Sequence, residues 1–418
     1  MDLTDRRKRL LGPNVPTFYD EPVHLVRGQG VWLWDAEGRK YLDCYNNVPH
    51  VGHCHPTVVE AIARQAATLN THTRYLHTGI LDYLERLLAS FDIPMQNAIL
   101  TCTGSEANDI ALRMAQTVTG ARGIIATDHT YHGNTMAVSQ LSRTSPPTGG
   151  SGDHIRHVPT PDSYRGADGA EFAAHIASAI AELQASGQGF SALMLDPFFA
   201  NEGFPDLPKG WLDPALKVVR EAGGLFIADE VQPGFGRTGE DFWGHQRIGV
   251  VPDIVTMGKP MGNGHPIACV ATSGEIMQEF RTGNRYFNTF GGNPVSCAAA
   301  SATLDVLETE GLQENARVVG EYLRAGLRKL AEKHEVIGDV RGAGLFLGAE
   351  LVCDRKDKTP APEFVGRVVN SLRQEGILLS SGGRNYTTLK IRPPMPFSQE
   401  NADVLLATLD RVLDRDAP

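Results

Sequence analysis

The chain lacks the residue patterns that mark several common protein classes. Its six cysteines, at positions 44, 54, 102, 269, 297 and 353, form no CxxC pair, so their spacing predicts neither a zinc site nor a disulfide framework. No run of 18 apolar residues is present, which argues against a membrane-spanning helix. The basic run at 6–9 has no apolar segment behind it and does not have the form of a secretory signal. These absences favour a cytoplasmic protein with free thiols.

Positive charge is also scarce. The 39 Lys and Arg residues against 49 Asp and Glu residues give a formal net charge of −10, which argues against an extended nucleic-acid surface. Hydrophobic residues make up 41% of the chain and charged residues 21%, as in ordinary globular proteins, so disorder is not expected. The 418 residues are enough for two to three domains with a large core.

The spacing of apolar residues changes along the chain. Residues 23–43 alternate apolar and polar around a turn at 35–38, which predicts a small β-meander. Helical spacing follows at 57–69 and 79–90. Short apolar runs then alternate with helical segments, and the runs occupy 98–102, 123–126, 192–195, 225–228, 254–256 and 267–271. Strands of continuous apolar character with helices between them predict a mostly parallel sheet that is covered on both faces.

The last hundred residues have a different pattern. A long amphipathic helix is predicted at 312–334, short strands around 342–348, and helices near 362–375 and 399–414. We therefore predict an α/β fold with a smaller α+β domain. The predicted regions are an N-terminal arm and β-meander that belongs to the small domain (1–55), a large α/β domain (56–305) and a C-terminal small α+β domain (306–418).

Lys259 is the first candidate for chemistry. It follows the apolar, strand-like stretch 253–257 and precedes small residues, which allow close approach to a ligand. Apolar surroundings lower the pKa of a lysine and favour an amine that can form an imine. Taken alone, a solvated loop lysine is the commoner case.

Other candidate residues also lie at predicted strand ends. The turn 103–108 opens a helix, and free N–H groups at a helix N-terminus suit a phosphate, although an ordinary helix capped by Ser105 fits the same residues. Asp229 ends an apolar strand, where a carboxylate can hold a protonated heteroaromatic nitrogen or simply cap a turn. Tyr131 reaches the same edge, as a ligand-facing ring or as packing.

Together these segments resemble one family. The motifs TGSEAN, YHG, ADEVQPGFGRTG, PDIVTMGKPMGNG and TFGGNP occur in this order, and the whole chain resembles the fold-type I, class III (ω-type) pyridoxal-phosphate aminotransferases. The resemblance implies pyridoxal 5'-phosphate as cofactor and a homodimer or a pair of dimers. Residues 46–56 and the segment MGKPMGNGHP are most similar to the branch with alanine–glyoxylate aminotransferase-2-like proteins and ethanolamine-phosphate phospho-lyases.

The resemblance also implies roles for single residues. Lys259 would form the aldimine and move the substrate proton, while Asp229 would keep the pyridine nitrogen protonated. Tyr131 would lie on one face of the ring, Gln232 would donate to the phenolic oxygen, and Thr289 would complete the phosphate site of the neighbouring subunit. The full set of implied cofactor-binding residues is Gly104 and Ser105 at the phosphate, Tyr131, His132, Glu202, Asp229, Gln232, Lys259 and Thr289.

The substrate side departs from the family pattern. Arg392 is the implied clamp for the substrate carboxylate, with a structural ion pair as the alternative. Many ω-aminotransferases have a gating glutamate that pairs with this arginine, but here that position is Asn201, and Glu202 is one residue further on. The clamp would therefore be permanently available. The predicted substrate-binding residues are Arg392, Tyr45 and Val48. Residues Tyr45, Val48, Arg74 and Phe198 are candidates for separating the two activities, but packing explains each of them equally well.

The predicted activity is transfer of an amino group between an amino acid or ω-amino acid and a 2-oxo acid. The alternative is a phospho-lyase that eliminates phosphate from a phosphoethanolamine-like amine. Both reactions begin with the same proton abstraction by Lys259, and motifs around the cofactor do not separate them. A non-catalytic relative is disfavoured because the reactive residues are all present. Residues 50, 53 and 55 are histidines in a family turn, so no metal is expected.

Overall fold

The computed structural model describes residues 2–416, which form twelve α-helices and sixteen strands. The helices are α1 (Leu3–Leu11), α2 (Pro56–Thr68), α3 (Thr78–Ala89), α4 (Gly104–Thr119), α5 (Gly169–Ala185), α6 (Asp213–Glu221), α7 (Gly244–Ile248), α8 (Gly274–Gly283), α9 (Pro294–Thr309), α10 (Leu312–Lys333), α11 (Pro362–Gln374) and α12 (Gln399–Asp416). The strands are β1 (Leu25–Gln29), β2 (Trp32–Asp35), β3 (Lys40–Asp43), β4 (Asn97–Thr101), β5 (Gly123–Thr127), β6 (Ile155–Val158), β7 (Phe190–Leu195), β8 (Leu225–Asp229), β9 (Ile254–Met257), β10 (Ala268–Thr272), β11 (Ile337–Ala343), β12 (Phe346–Asp354), β13 (Thr359–Pro360), β14 (Ile377–Leu378), β15 (Ser380–Gly382) and β16 (Thr388–Ile391).

The central sheet has seven strands in the order β4-β10-β9-β8-β7-β5-β6. Strands β5 to β9 pair in parallel, and β10 alone runs antiparallel to its neighbours β9 and β4. Every residue of β5, β7, β9 and β10 is buried. The predicted mostly parallel, doubly covered sheet is confirmed, and with it the fold class.

Alternate residues of the central strands pack against different helices. In β5, Ile124 and Ala126 belong to a core with α4 and α8, whereas Ile125 belongs to a core with α5 and α6. In β7, Met194 faces the first of these cores and Leu193 the second. Successive side chains of a strand point to opposite faces, so a strand buried on both faces must be apolar throughout. This explains the continuous apolar runs of the sequence.

Two smaller sheets flank the central one. The N-terminal meander β1-β2-β3 is extended by β14, which pairs in parallel with β3 although more than 300 residues separate them in the chain. The second sheet has the order β11-β12-β16-β15, with β13 against β12. The pairing of β3 with β14 supports placing residues 1–55 in the small domain. The domain boundaries stay predictions, and the one at 305/306 falls inside α9.

The predicted strands and helices named above are all present. Most ends lie within two residues of the prediction, but the strands predicted around 342–348 are longer, at Ile337–Ala343 and Phe346–Asp354. One strand of the central sheet escaped prediction. Edge strand β6 carries Arg156 and His157 at its centre, so it lacks the continuous apolar character of its neighbours. The six cysteines are free thiols. Across residues 2–416, no helix combines the length and apolar character that crossing a membrane requires.

Two helical glycines give opposite predictions for the same substitution. A Cβ at Gly320 in α10 would overlap the backbone of Gly344, whereas a Cβ at Gly366 in α11 would meet nothing within 4 Å. Alanine is the better helix former, so Gly366→Ala should raise the free energy of unfolding by about 0.5–1 kcal/mol. Gly320→Ala should lower it by about 1–3 kcal/mol because overpacking outweighs helix propensity. Denaturant unfolding of both variants tests this; stabilisation by both would contradict the close α10 contact.

Candidate active site

Asp229 is held in a network of three donors at the end of β8. Its Oδ2 accepts hydrogen bonds from His132 Nδ1 at 2.7 Å and from Asn108 Nδ2 at 3.0 Å, and its Oδ1 accepts one from the N–H of Val231 at 3.0 Å. Thr130 Oγ1 lies 3.0 Å from the other ring nitrogen of His132. With a carboxylate on Nδ1, that nitrogen carries the proton and Nε2 accepts from the threonine. The aspartate is thereby fixed in orientation.

The N-terminus of α4 forms the second wall. Thr103, not Ser105, is the N-cap: its hydroxyl accepts from the N–H of Glu106, whose carboxylate accepts from the N–H of Thr103, a capping box. The alternative that made Ser105 an ordinary cap is therefore wrong. Within residues 2–416, no hydrogen bond uses the N–H groups of Gly104 and Ser105, which leaves them available to an anion.

A close approach of two loops fixes Ser105. Its Oγ donates to Asn134 Oδ1 at 3.1 Å and accepts from the N–H of Asn134 at 3.2 Å. Gly133 has a φ of 142°, and a Cβ there would stand 2.6 Å from Ser105 Oγ. Only glycine fits at this position, which accounts for the glycine of the YHG motif.

These elements enclose one cavity. It collects seven of the nine predicted cofactor-binding residues, and its lining consists of Gly104, Ser105, Asn108, Tyr131, His132, Gly133, Asp229, Val231, Gln232 and Lys259. Sequence reasoning assigned no role to Asn108, although its motif TGSEAN was recognised. The signal was its position one helical turn after the phosphate-binding turn, on the same face.

Lys259 is on the cavity wall, two residues after β9 ends. Burial lowers the pKa of its amine, and the nearby positive charge of Arg392 lowers that pKa further; Asp229 and Asp196 oppose the shift. A lowered pKa increases the fraction of neutral, nucleophilic amine at physiological pH. The lining of the cavity is mostly polar, so the expected apolar setting is wrong, and burial together with Arg392 lowers the pKa instead.

Arg392 directly follows β16 and is buried. Its Nη1 donates to Gln232 Oε1 at 2.5 Å, and its guanidinium stacks on the ring of Tyr45, 4.3 Å from the centroid. Among residues 2–416, no carboxylate lies within 4.0 Å of its nitrogens. The structural ion pair considered from the sequence is therefore not formed. Gln232 links the arginine to the cavity.

Two predicted cofactor residues lie outside the cavity. Glu202 is buried behind it, where its Oε1 accepts from Thr127 Oγ1 at 2.7 Å; burial raises the pKa of its carboxyl. Thr289 is exposed in the loop before α9. The predicted roles of these two residues in a single subunit thus have no geometric support. A role for Thr289 across a subunit interface stays a prediction.

Of the remaining candidate substrate-binding residues, one contacts Arg392 and the others lie at the surface or pack in the protein interior. Tyr45 touches Arg392, as described, while Val48 is exposed and does not line the cavity. Arg74 stacks on Phe287, 3.8 Å from the ring centroid, at a separate surface cleft. Phe198 stacks on Phe346 with centroids 4.8 Å apart and belongs to a small apolar core. For Phe198 the packing explanation is the correct one.

The three histidines of the 46–56 segment diverge to separate partners. His50 lies between the carbonyl of Phe235 and the guanidinium of Arg237, and burial lowers its pKa. His53 pairs with Asp43 at 2.6 Å and His55 with Glu310 at 3.0 Å. Each ring is engaged in a different contact, so their regular spacing in sequence does not bring them together.

The cavity residues fit the predicted cofactor. Two free N–H groups at the start of α4 suit a phosphate group, and Ser105, which is fixed by Asn134, lies beside them. An oriented carboxylate, Asp229, suits a protonated ring nitrogen, and Lys259 supplies the amine. The arrangement can therefore bind a phosphorylated heteroaromatic aldehyde and remove a proton from a substrate next to it.

Comparisons with known proteins identify the family of the chain. The family model "Aminotransferase class-III" matches residues 16–413. The chain is 44% identical to the alanine–glyoxylate aminotransferase 2-like protein of Drosophila melanogaster, over 96% of this chain and 84% of the relative. It is 39% identical to the ethanolamine-phosphate phospho-lyase homolog 1 of Caenorhabditis elegans, over 99% and 93%.

A solved structure is similar over the whole length. The phospholyase from Arthrobacter, in complex with phosphoethanolamine, superposes with a TM-score of 0.96, is 44% identical and covers 99% of both chains. Relatives of this family are enzymes, and transaminases of fold type I are among the structural neighbours. The chain belongs to the class-III aminotransferase family.

Proposed function

We propose that this chain is a pyridoxal-phosphate-dependent phospho-lyase that releases phosphate from an amine of the phosphoethanolamine type. The observation that carries the proposal is the buried guanidinium of Arg392, whose partner is the neutral amide of Gln232 instead of a carboxylate. Such a cation is ready for an anionic group on the substrate. The Arthrobacter and Caenorhabditis elegans proteins support phosphate as that group, because both resemble the chain over nearly its full length.

The residues around the cavity would have separate roles in the reaction. When bound, pyridoxal phosphate supplies an electron sink that acidifies the carbon bearing the substrate amine. Gly104 and Ser105 would hold its phosphate, and Asp229, oriented by His132, would hold its ring nitrogen protonated. Lys259 would take the proton from the amine-bearing carbon with Nζ.

The elimination then balances without a redox partner. Removal of the proton supplies an electron pair to the bond between the two substrate carbons. The C–O bond to phosphate breaks, and inorganic phosphate leaves with the bonding electrons. Addition of water to the resulting enamine or imine gives ammonia and an aldehyde, so phosphoethanolamine and water yield acetaldehyde, ammonia and phosphate.

Amino transfer is the second candidate. The Drosophila melanogaster relative, named as aminotransferase 2-like, is as identical to this chain as the Arthrobacter protein is. A permanently available Arg392 also suits an α-carboxylate, which is present on both an amino acid and a 2-oxo acid. It suits simple amines poorly, since these would leave the buried cation uncompensated.

We also propose that the enzyme is a homodimer in the cytoplasm. Large apolar side chains are exposed near Thr289, including Phe290, and elsewhere at Leu76, where the exposed fractions are 69% and 98%. Exposed apolar patches of this kind are typical of protein interfaces. In a dimer Thr289 would reach the cofactor phosphate of the partner subunit, which would account for its position outside its own cavity.

The products distinguish the two candidate activities. Holoenzyme mixed with phosphoethanolamine should release equal amounts of phosphate and acetaldehyde while the cofactor absorbance returns to its starting state. Phosphate can be measured with molybdate and acetaldehyde with an alcohol dehydrogenase. Stable transfer of the amino group to the cofactor by alanine, with no phosphate release from phosphoethanolamine, would reject the lyase and favour amino transfer.

Arg392→Ala tests the anion clamp. Loss of a charge-assisted contact should raise KM for phosphoethanolamine and lower kcat/KM by about 10- to 100-fold, because the lost contact binds the substrate. Steady-state phosphate release measures the effect. The matched control is Arg247→Ala, which removes a surface ion pair with Asp206. Unchanged kinetics in Arg392→Ala would contradict the role of this arginine.

Asp229→Asn tests the ring-nitrogen contact. The variant should retain bound cofactor, since the α4 contacts remain, but kcat should fall by about 100-fold or more because a neutral amide no longer stabilises the protonated ring. Cofactor content by absorbance and phosphate release by turnover assay separate these effects. Asp206→Asn, at the protein surface, is the control. Near-normal turnover by Asp229→Asn would refute the assignment.

A further inference from the structure

A second buried cation stands beside the clamp. Lys390 precedes Arg392 by two residues, so both side chains leave the same face of the β16 segment. Both are buried, with exposed fractions of 4% and 7%. Lys390 Nζ donates to Asn201 Oδ1 at 3.2 Å, just as Arg392 donates to Gln232 Oε1. Each cation is thus held by the neutral oxygen of a carboxamide.

The neighbouring acids do not pair with Lys390. Asp196 accepts from the N–H groups of Phe198 and Ala200 at 2.8 and 3.2 Å. Glu202 accepts from Thr127 through Oε1, while its Oε2 has no hydrogen-bond partner among residues 2–416. In the described part of the chain, neither acid comes within 4.0 Å of the Lys390 amine. Buried cations without a counter-charge are costly unless a ligand supplies one.

Electrostatics agrees with this geometry. Burial lowers the pKa of Lys390 well below its usual value, and the adjacent Arg392 lowers it further. Lys259 acts in the same direction, while Asp196 and Glu202 oppose the shift. A bound anion would raise the pKa of Lys390 again and so favour its charged ammonium form.

Both carboxamides connect the cations to the cavity. Gln232 lines it directly. Asn201 Nδ2 donates to the backbone carbonyl of Tyr131 at 3.4 Å, and Tyr131 lines the cavity as well. The side chain of Asn201, next to the Lys390 amine, is uncharged. A glutamate here would neutralise Lys390, whereas the asparagine leaves its charge available.

We propose that Lys390 and Arg392 form one subsite for a dianionic phosphate ester, whose oxygens replace the carboxamide oxygens of Asn201 and Gln232. The inference rests on the proposed function and names the group that Lys390 selects. Two cations match the two negative charges of a phosphate monoester, and a monoanion needs only one of them. Lys390 is thus a specificity residue for the charge of the substrate.

The test compares two substrates with the same carbon skeleton. Phosphoethanolamine carries a dianionic leaving group and ethanolamine O-sulfate a monoanionic one. In Lys390→Gln holoenzyme, kcat/KM for phosphoethanolamine should fall by about 30-fold, while that for the sulfate should stay within about threefold. Lys390→Arg keeps the positive charge. It should therefore retain more of the preference for the phosphate ester over the sulfate ester than Lys390→Gln does. Lys358→Gln, at a lysine that binds the Tyr164 carbonyl away from the cavity, is the control.

Binding supplies a readout that does not depend on turnover. Calorimetric titration of holoenzyme with inorganic phosphate should give a Kd at least about tenfold weaker in Lys390→Gln than in wild type. Equal losses on the phosphate and sulfate esters, or unchanged phosphate binding, would overturn the subsite and leave Lys390 a structural support for Asn201. If wild-type enzyme releases no phosphate from phosphoethanolamine, the proposed function fails, and the phosphate titration alone still decides the role of Lys390.

Discussion

The carboxylate of Asp229 joins three separate segments of the chain, and the cavity depends on this junction. It receives hydrogen bonds from His132 after β5, from Asn108 in α4 and from the backbone after β8. Asn108 Nδ2 also donates to the His132 carbonyl at 2.6 Å. A buried carboxylate is tolerated only when such donors satisfy it, so the three strand ends must be correctly placed together. The parallel sheet meets this requirement by aligning their carboxyl ends at one edge.

Beyond this junction, the site keeps its opposite charges apart. Its acids accept from amides, hydroxyls and backbone N–H groups, while Lys390 and Arg392 donate to carboxamide oxygens. Direct pairing would be more stable in the free enzyme but would have to be broken for an anion to bind. Neutral partners orient the cations without cancelling their charge. The site is thus prepared for charged ligands, in keeping with electrostatic preorganisation in enzymes.

Much of the fold could be predicted from the sequence, because burial of the central strands on both faces forces continuous apolar runs. Edge strand β6 was missed because Arg156 and His157 need no such burial. Locally encoded features were also predictable: a small-residue turn before α4 and a carboxylate at the end of β8. The identity of the helix cap was not, since Thr103 and Ser105 are both good capping residues. Only the backbone geometry separates them.

The sequence by itself determined the strand and helix pattern and the motifs from which the cofactor site was inferred, because each of these depends on residues within one short segment. Only the tertiary structure decided which groups meet the two cations. Arg392 and Gln232 are 160 residues apart, and Lys390 and Asn201 are 189 apart. No local pattern encodes such a pairing. It arises where β16 of the flanking sheet meets the loops at the edge of the central sheet, beside the cavity that contains Lys259.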